Sequence, residues 1–412
     1  MKFLFIHQNF PGQFVSLAPA LARAGHEVRA LTTREDIGDD WLGVQVQRLN
    51  PPRTVGKDSH PWTSIFDGEV AQGERIFRAA RALKSDGFEP DAIIGHPGWG
   101  ETLFLRDVWP TTPLGIYAEF FFSPDRKVMV SELTPPDLEN DAGPIMRIRN
   151  LPWMMGLEDA DAAISPTRFQ ADQFPARLRP KIEVIHDGID TRRIRPDPQS
   201  QISLGRGVTL SAGDEVITFV NRNLEPLRGY HTFMRALPEV LTRYPRARVI
   251  LIGGDGSSYS QPPPKGRTWK DVYRHEVWPS LTEDQRERVH FVGRVPYDTY
   301  LRVLQISMVH VYLTWPFVLS WSLMEAMSVG CAIVGSDTAP VTEMITDGET
   351  GRLVPFDDPA ALAAGISDLL NDPDARCRLG AQAREHIIAR YDRDTLCLPA
   401  QVDWALRLAR AQ

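Results

Sequence analysis

Short apolar runs alternate with stretches of helical periodicity along almost the whole chain. The chain opens with the apolar run KFLFIHQ, a turn-rich loop that contains Gly12, and a helical stretch that stops at Gly25. A second apolar run, HEVRALTT, follows directly. The order strand, helix, strand requires a right-handed crossover between parallel strands. The pattern therefore predicts an α/β fold with a parallel sheet.

The α/β pattern occurs twice. The 412 residues exceed one ordinary domain and fit two domains of roughly 200 residues. Residues 191–215 are polar and weakly periodic, and the strand pattern starts again at VITFVNR. We predict two Rossmann-like domains that face each other across a cleft. The predicted bounds are 1–195 for the N-terminal domain, 196–215 for a linker, 216–391 for the C-terminal domain, and 392–412 for a helix packing back on the N-terminal domain.

The bulk composition argues against several classes of protein. The formal net charge of −7 disfavours a nucleic-acid partner, because surfaces that bind nucleic acid carry a basic surplus. Cys331, Cys377 and Cys397 show no CxxC spacing, which is typical of thiols in a reducing compartment. The apolar run at Phe3–Ile6 is too short for a signal peptide, and no run approaches the ~18 residues of a membrane span. We therefore expect a cytoplasmic protein.

Ligands of open α/β sheets bind beyond the carboxyl ends of the strands, so the loops that follow strands are the candidates. In the first such loop, Gly12 precedes a helix and lets backbone amides approach a ligand, although an ordinary turn also needs a glycine there. Glu119 ends a later apolar strand, where a carboxylate requires a partner. That carboxylate is either functional or a paired structural group.

The loop Gly95–Glu101 combines an imidazole, an indole and a carboxylate with extra glycines. Trp99 can stack on a sugar ring, while His96 or Glu101 can orient hydroxyl groups. The alternative is a Pro-Gly turn at Gly98 followed by a glutamate that begins a helix. The sequence alone leaves both interpretations open.

Two loops of the second half carry charged residues next to helix starts. Arg222 ends a strand and Arg228 precedes a helix, so two guanidinium groups at a helix N-terminus would clamp a diphosphate. Solvated surface arginines are the alternative. In the other loop, Ser322 and Glu325 have the spacing of a helix capping box. Glu325 either caps the helix or accepts hydrogen bonds from ribose hydroxyls, and the two roles are compatible.

The second half contains six elements in a fixed order: Arg222 to Arg228-Gly229, VILIGGDG, VHFVGRVP, Glu325-Ala326-Met327, GCAIVGS, and the segment from Asp347 to Val354. Over roughly residues 217–390 this order resembles the C-terminal domain of the GT-B retaining glycosyltransferases of family 4. The first half resembles that family more loosely, through strand one, the Gly12 loop and the segment HDGID. The resemblance implies two Rossmann-like domains and a sugar-transfer reaction.

The resemblance also implies roles for individual residues. The implied donor-binding residues are Arg222, Arg228, Gly254, Val295, Ser320, Trp321, Ser322 and Glu325, with the arginines on the diphosphate and Glu325 on the ribose. His96 or Glu119 is the expected catalytic residue. The expected acceptor-binding residues are Gly12, Gly98, Trp99 and Glu101.

Two residues depart from the family's pattern. The family often has two glutamates eight positions apart, and the first falls on Phe317 here. That glutamate usually contacts the donor sugar, so sugar recognition must differ in this chain. Arg228 replaces the usual lysine, which keeps the charge but changes its geometry from a point to a planar fork.

The expected function is transfer of a sugar, as in the hexosyltransferases, from a nucleotide-diphosphate sugar to an acceptor hydroxyl with retention of configuration. The ten histidines lack metal-ligand spacing, so we expect neither a metal nor another cofactor. The alternatives are a nucleotide-sugar-binding protein without transferase activity, which the Phe317 replacement favours, and a GT-B epimerase or phosphorylase. The acceptor, the donor sugar, the nucleobase and the oligomeric state stay open, and a lipid acceptor would bring the protein to a membrane.

Overall fold

The computed structural model describes residues 1–50, 59–122, 136–205 and 207–411. The chain divides into two compact units. The first comprises the described residues up to Gly188 together with the segment from Arg393 onward, and the second extends from Ile189 to Asp392. None of the helices in these ranges is long and apolar enough to cross a membrane.

The first unit contains, among the described residues, an eight-stranded sheet of order β3-β4-β2-β1-β5-β6-β7-β8. All neighbouring strands are parallel except β3 and β4. The strands are β1 (Lys2–Ile6), β2 (Glu27–Thr32), β3 (Asp40–Trp41), β4 (Val44–Arg48), β5 (Ala92–Gly95), β6 (Leu114–Tyr117), β7 (Ala162–Ser165) and β8 (Ile182–Val184). The helices up to β8 are α1 (Leu17–Arg23), α2 (Ser64–Ser85), α3 (Pro136–Arg149), α4 (Leu151–Asp159) and α5 (Arg168–Ala171).

The second unit contains, within the described part of the chain, a six-stranded parallel sheet of order β13-β12-β11-β14-β15-β16. A separate antiparallel hairpin precedes it, formed by β9 (Gln201–Gly205) and β10 (Val208–Ser211). The sheet strands are β11 (Val216–Asn223), β12 (Arg248–Gly254), β13 (Val289–Gly293), β14 (Val309–Tyr312), β15 (Ala332–Ser336) and β16 (Arg352–Val354). The helices are α6 (Tyr230–Arg243), α7 (Trp269–Val277), α8 (Glu283–Glu287), α9 (Tyr297–Gln305), α10 (Trp321–Val329), α11 (Ala339–Thr342), α12 (Pro359–Asn371) and α13 (Pro373–Tyr391).

Both sheets reverse their strand order beside their first strand. The second sheet has the 3-2-1-4-5-6 order of a Rossmann fold, with the reversal between β11 and β14. In the first sheet the corresponding reversal lies between β1 and β5. The predicted fold class, two Rossmann-like α/β domains with parallel sheets, is confirmed. The loops after these four strands flank the crevices where ligands of such sheets bind.

The last helix, α14 (Leu398–Ala409), belongs to the first unit. It packs against α1, β5 and β6 through its buried residues Trp404 and Leu408. Gly115 in β6 makes this approach possible, because a Cβ at that position would lie 2.6 Å from both side chains. The helix therefore completes the core of the first unit.

The structure differs from the predicted domain bounds. The second unit begins at Ile189, and the residues 196–215 predicted as a linker contain the hairpin β9–β10. Ile202 and Leu210 of the hairpin are buried and join a hydrophobic cluster of the second unit. Two buried side chains in an otherwise polar segment were too weak a pattern to predict this packing.

Candidate functional site

Arg228 is buried at the start of α6, beside the strand-order reversal of the second unit. Its Nη1 donates hydrogen bonds to Oγ1 of Thr314 at 2.8 Å and to the carbonyl of Val318 at 2.9 Å. Its Nε and Nη2 have no acceptor among the described residues and are not fully buried. The guanidinium group is therefore held rigidly while two of its nitrogens stay available to an anion.

Arg222 has a different environment from Arg228. It lies inside β11, one residue from its end, and its side chain is exposed. Among the described residues no contact joins the two arginines. The predicted pair thus consists of one fixed guanidinium and one that is free to reorient.

Glu225 is a residue that sequence reasoning missed. Its side chain is 1% exposed, and Oε2 accepts backbone N–H groups from Ser258, Tyr259 and Ser260 at 3.0, 3.1 and 3.0 Å. This carboxylate ties the loop after β12 to the loop after β11. Its only sequence signal was a glutamate directly before Pro226, at the turn into a helix.

Phe317 packs against Arg228 in place of the glutamate expected from the resemblance. The phenyl ring is 5% exposed, and its centroid lies 4.6 Å from that of Tyr259. The Arg228 guanidinium lies 5.8 Å from the Phe317 ring and 5.6 Å from the Tyr259 ring. Aromatic faces attract a cation without neutralising it, whereas a carboxylate would pair with it. The replacement therefore leaves the charge of Arg228 available to a ligand.

Glu325 lies in the second turn of α10 and accepts two tyrosine hydroxyls. Tyr297 donates to Oε1 at 2.7 Å and Tyr300 donates to Oε2 at 2.5 Å. Burial raises the pKa of the Glu325 carboxyl, although both tyrosine hydroxyls oppose the rise. Each carboxylate oxygen has a second lone pair, so the group can still accept a hydroxyl from a ligand.

The predicted capping box at Ser322 and Glu325 is wrong. Ser320 is the N-cap residue of α10, and its side chain accepts the backbone N–H of Ser322. Since the helix begins at Trp321, Glu325 is the fifth helical residue and lies beyond reach of the N-cap amide. Its side chain turns instead to Tyr297 and Tyr300 of α9.

Two of the loop amides expected near the phosphates already donate hydrogen bonds to other groups of the protein. The backbone N–H of Ser320 donates to the Tyr312 hydroxyl at 2.9 Å, and that of Ser322 donates to Oγ of Ser320 at 3.3 Å. Trp321 is 42% exposed. Phosphate contact through the amides of Ser320 and Ser322 would therefore require the loop to rearrange.

Gly254 is the last residue of β12, and Val295 follows β13, the neighbouring strand of the sheet. A Cβ at Gly254 would lie 2.6 Å from Oδ1 of Asn223 and 2.7 Å from Nε of Arg294, so any other residue there would displace these two side chains. Val295 is half-buried against a hydrophobic cluster of the second unit. Both residues thus shape this end of the two strands through their backbone and packing.

His7, His96 and Glu119 meet at the carboxyl edge of the first sheet. They follow β1, β5 and β6, which are adjacent parallel strands. Nε2 of His96 lies 3.4 Å from Oε2 of Glu119, and the His7 and His96 ring centroids are 5.2 Å apart. Gln13 donates its amide to Oε1 of Glu119 at 2.8 Å. The two candidates for a catalytic residue therefore form one cluster.

The Glu119 side chain remains 26% exposed, whereas those of His7 and His96 are almost fully buried. Burial raises the pKa of the Glu119 carboxyl, but the contacts with His96, Gln13 and His7 outweigh it and hold the pKa below its ordinary value. Burial and repulsion by His96 lower the pKa of His7 to about 3. At neutral pH the cluster presents an ionised carboxylate beside a neutral His7.

Trp99 stacks on His96, with ring centroids 4.6 Å apart and planes 25° from parallel. A Cβ at Gly98 would lie 2.8 Å from the His96 ring and 2.8 Å from the Trp153 ring, so a side chain there would collide with both. Gly12 has a positive φ of 47°, and a Cβ there would lie 2.6 Å from Nε2 of His7. The two glycines expected to bind an acceptor therefore make room for the histidine rings.

Glu101 is fully buried and does not face a ligand as expected. Its Oε1 accepts the backbone N–H of Gln8 at 2.8 Å, and its Oε2 accepts that of Trp99 at 3.3 Å. The carboxylate joins the loop after β1 to the loop after β5. This burial indicates a structural role instead of the acceptor contact that we expected.

Replacing Glu101 with glutamine is expected to change how stability depends on pH. Burial raises the pKa of Glu101 from 4.5 to about 7, so the folded state holds the proton more tightly than the unfolded chain. Protonation of Glu101 therefore makes its full contribution to the free energy of unfolding below about pH 4.5. This contribution, up to ~3 kcal/mol, is lost as the pH rises from about 4.5 through about 7. Urea unfolding at a series of pH values should show the free-energy advantage of wild type over Glu101→Gln shrinking from about pH 5 to 8. A pH-independent difference would contradict the assignment.

No group of three or more His, Cys, Asp or Glu side chains that could hold a metal ion occurs among the described residues.

Comparison with known proteins identifies the family. The family described as "Glycosyl transferase family 4 group" matches residues 24–194, and "Glycosyl transferases group 1" matches residues 206–386. A curated relative, D-inositol 3-phosphate glycosyltransferase of Corynebacterium efficiens, is 28% identical over 394 residues, which cover 90% of this chain and 84% of the relative. The chain belongs to the GT-B glycosyltransferases.

Two solved structures share the fold of this glycosyltransferase over the full length of both chains. Sucrose-phosphate synthase of Thermosynechococcus elongatus superposes with a TM-score of 0.72 at 18% identity. Anabaena HepE in complex with UDP superposes with a TM-score of 0.69 at 15% identity. At these identities the likeness concerns the fold alone.

Replacing Glu325 with glutamine in this glycosyltransferase is expected to weaken nucleoside binding by about 1–2 kcal/mol, because a neutral amide is a weaker acceptor than a carboxylate. Titration calorimetry with a nucleoside diphosphate measures the effect, and urea unfolding of the same variant measures its stability. The matched control is Glu276→Gln in the same unit, whose carboxylate pairs with Arg235 instead of the two tyrosines and which should leave the affinity unchanged. Unchanged affinity together with a large loss of stability would show that Glu325 serves the fold alone.

Proposed function

We propose that this glycosyltransferase transfers a sugar from a nucleotide-diphosphate sugar to an acceptor hydroxyl with retention of anomeric configuration. The proposal rests on the environment of Arg228. Its buried guanidinium group is held by Thr314 and Val318, and two of its nitrogens are left for an anion. A buried arginine costs stability unless its charge is used or compensated. The described residues supply no carboxylate partner to it, so an anionic ligand is the natural counterpart.

In this proposal Arg228 binds the donor diphosphate and Arg222, which can reorient, joins it. The start of α6 lies directly after Arg228, and the positive end of a helix dipole favours a phosphate. As the bond from the anomeric carbon to the diphosphate oxygen breaks, negative charge builds on the diphosphate. A fixed guanidinium stabilises that charge most in the transition state, which is the condition for catalysis.

The nucleoside is assigned to Glu325 and the neighbouring end of β13. Its carboxylate already accepts Tyr297 and Tyr300, and its remaining lone pairs suit two vicinal hydroxyls such as those of a ribose. The Anabaena neighbour was solved with UDP, which supports a nucleoside diphosphate as the class of ligand. The nucleobase and the donor sugar stay open in the proposal.

On the acceptor side we assign Glu119 to a hydroxyl group. Because its pKa lies below the ordinary value, the carboxylate is a weak base and a good hydrogen-bond acceptor. It therefore accepts a hydrogen bond from an acceptor hydroxyl next to the reacting one and so orients the acceptor. The oxygen of the reacting hydroxyl forms the new bond to the anomeric carbon, the bond from that carbon to the diphosphate oxygen breaks, and the proton of the reacting hydroxyl passes to the departing diphosphate. This division of roles fits retention without a second catalytic carboxylate.

A donor screen tests the proposal. Purified protein is mixed with UDP-, GDP- and ADP-linked hexoses, and thermal shift identifies the nucleotide that stabilises it. The selected donor, labelled in its sugar, is then supplied with neutral sugars, inositols and their lipid derivatives, and proton NMR of the product reports the anomeric configuration. A product with the anomeric configuration of the donor supports the proposal. If no nucleotide stabilises the protein, the nucleotide-sugar donor is refuted. A product of inverted configuration would refute retention.

A further inference from the structure

Glu119 is held by a chain of hydrogen bonds that begins at the loop after β1. The backbone N–H of Asn9 donates to Nδ1 of His7 at 2.9 Å. A neutral imidazole has one proton, so the proton of His7 must lie on Nε2, which is 2.7 Å from Oε1 of Gln13. That contact orients the Gln13 amide so that its Nε2 donates to Oε1 of Glu119.

The other carboxylate oxygen faces His96. The backbone N–H of Gly98 donates to Nδ1 of His96 at 3.3 Å, which leaves the imidazole proton on Nε2. This buried Nε2 lies 3.4 Å from Oε2 of Glu119 but has no hydrogen-bond partner among the described residues. The backbone of Glu119 is fixed as well, because its carbonyl accepts Nε2 of Gln170 at 2.7 Å.

We infer that Gln13 and His7 are positioning residues that hold the Glu119 carboxylate so that its exposed edge accepts a hydrogen bond from a neutral hydroxyl of the acceptor. The inference rests on the proposed function and deepens it. Glu119 is the partly exposed, charged member of the cluster, while His7 and His96 are almost fully buried. An ionised carboxylate attracts a hydroxyl and repels a phosphate or carboxylate, so the part of the acceptor in contact with Glu119 is an uncharged, hydroxyl-bearing group such as a sugar or polyol ring.

The same arrangement explains the loop around Gly12. Because a Cβ at Gly12 would lie 2.6 Å from Nε2 of His7, any side chain there would push the imidazole away from Gln13. Three groups face the Glu119 carboxylate or act on its charge: His7, His96 and Tyr117. Removing the Gln13 amide takes away one donor and leaves these three in place.

The first measurement needs no substrate. Carbon NMR of glutamate-labelled full-length protein follows the titration of Glu119, identified by its loss in Glu119→Gln. In Gln13→Leu, which keeps the volume but not the amide, the pKa of Glu119 should rise by about 0.7, the equivalent of one net hydrogen bond. In Gln13→Glu it should rise further, because two carboxylates then face each other.

The matched control is Gln173→Leu. Gln173 is also a buried glutamine of the first unit, but its amide donates to the carbonyl of Phe169 and not to Glu119. This variant should leave the Glu119 titration unchanged. An unchanged titration in Gln13→Leu, or an equal shift in Gln173→Leu, would overturn the inference.

The second measurement uses the donor and acceptor pair found in the screen. Gln13→Leu should lower kcat/KM for the acceptor by about tenfold while KM for the donor stays the same. Unchanged kcat/KM for the acceptor overturns the inference and leaves the proposed function intact. If no pair supports transfer at all, the proposed function fails and the inference fails with it, whatever the NMR titration gives.

Discussion

Replacing Arg228 with alanine is expected to weaken binding of a nucleoside diphosphate by about 1.5–3 kcal/mol, or roughly 10- to 100-fold. The lost interaction is a charge-assisted hydrogen bond from a guanidinium that Thr314, Val318 and two aromatic rings hold in place. The loss in kcat/KM should be at least as large, since charge on the diphosphate grows in the transition state. Titration calorimetry and initial rates measure the two effects.

The control for Arg228→Ala is another buried arginine of the second unit. Arg288 is 6% exposed and donates to the backbone carbonyls of Tyr244, Ala247 and Leu241. Arg288→Ala should destabilise the unit without changing the affinity of the protein that remains folded. If both variants lose affinity equally, Arg228 acts through stability and not through the ligand. Arg228→Lys, which keeps the charge but loses the planar fork, should lie between wild type and Arg228→Ala.

Replacing Glu119 with glutamine is expected to lower kcat/KM for the acceptor by about 10- to 100-fold, with donor affinity unchanged. The amide keeps the shape of the side chain but removes the charge that accepts a hydroxyl, and its NH2 group conflicts with the N–H of either His96 or Gln13. Because the pKa of Glu119 lies below its ordinary value, this carboxylate should add no titration to the wild-type rate between about pH 5 and 8. Initial rates at varied acceptor concentration and pH check both statements.

Glu69→Gln is the control for Glu119→Gln. Glu69 is a buried carboxyl of the first unit whose pKa burial raises to about 8, and it touches neither His96 nor Gln13. It should change stability and leave kcat/KM of the folded protein unchanged. A loss of donor affinity in Glu119→Gln, with kcat/KM for the acceptor preserved at saturating donor, would contradict the assignment of Glu119 to the acceptor.

The sequence predicted where loops follow strands, because apolar strands and the polar or glycine-rich loops after them are visible in the pattern of residues. It pointed separately to Gly12, His96 and Glu119. It could not predict that they form one cluster, because that depends on the adjacency of β1, β5 and β6 in the sheet. His7 was missed because it directly follows an apolar run, where a single histidine carries little signal.

Long-range partners account for the other differences. Glu225 was not predicted because its carboxylate accepts hydrogen bonds from backbone amides more than 30 positions away. The side chains of that loop do not indicate the contact. The capping box at Ser322 failed because the helix starts two residues earlier than the spacing implied and because two tyrosines of α9 bind the Glu325 carboxylate. Local spacing describes a helix end correctly only when no partner from another element takes the side chain.

Ligand truncation tests most directly whether the second unit binds a nucleoside diphosphate with Arg228 on the diphosphate and Glu325 on the nucleoside. Calorimetry is run with a nucleoside diphosphate, the monophosphate and the 2′,3′-dideoxy diphosphate against wild type, Arg228→Ala and Glu325→Gln. We expect Arg228→Ala to abolish most of the gain from monophosphate to diphosphate, and Glu325→Gln to abolish most of the gain from the dideoxy to the ribose form. Equal losses across all three ligands in either variant, or no loss in Arg228→Ala, would contradict the assignment.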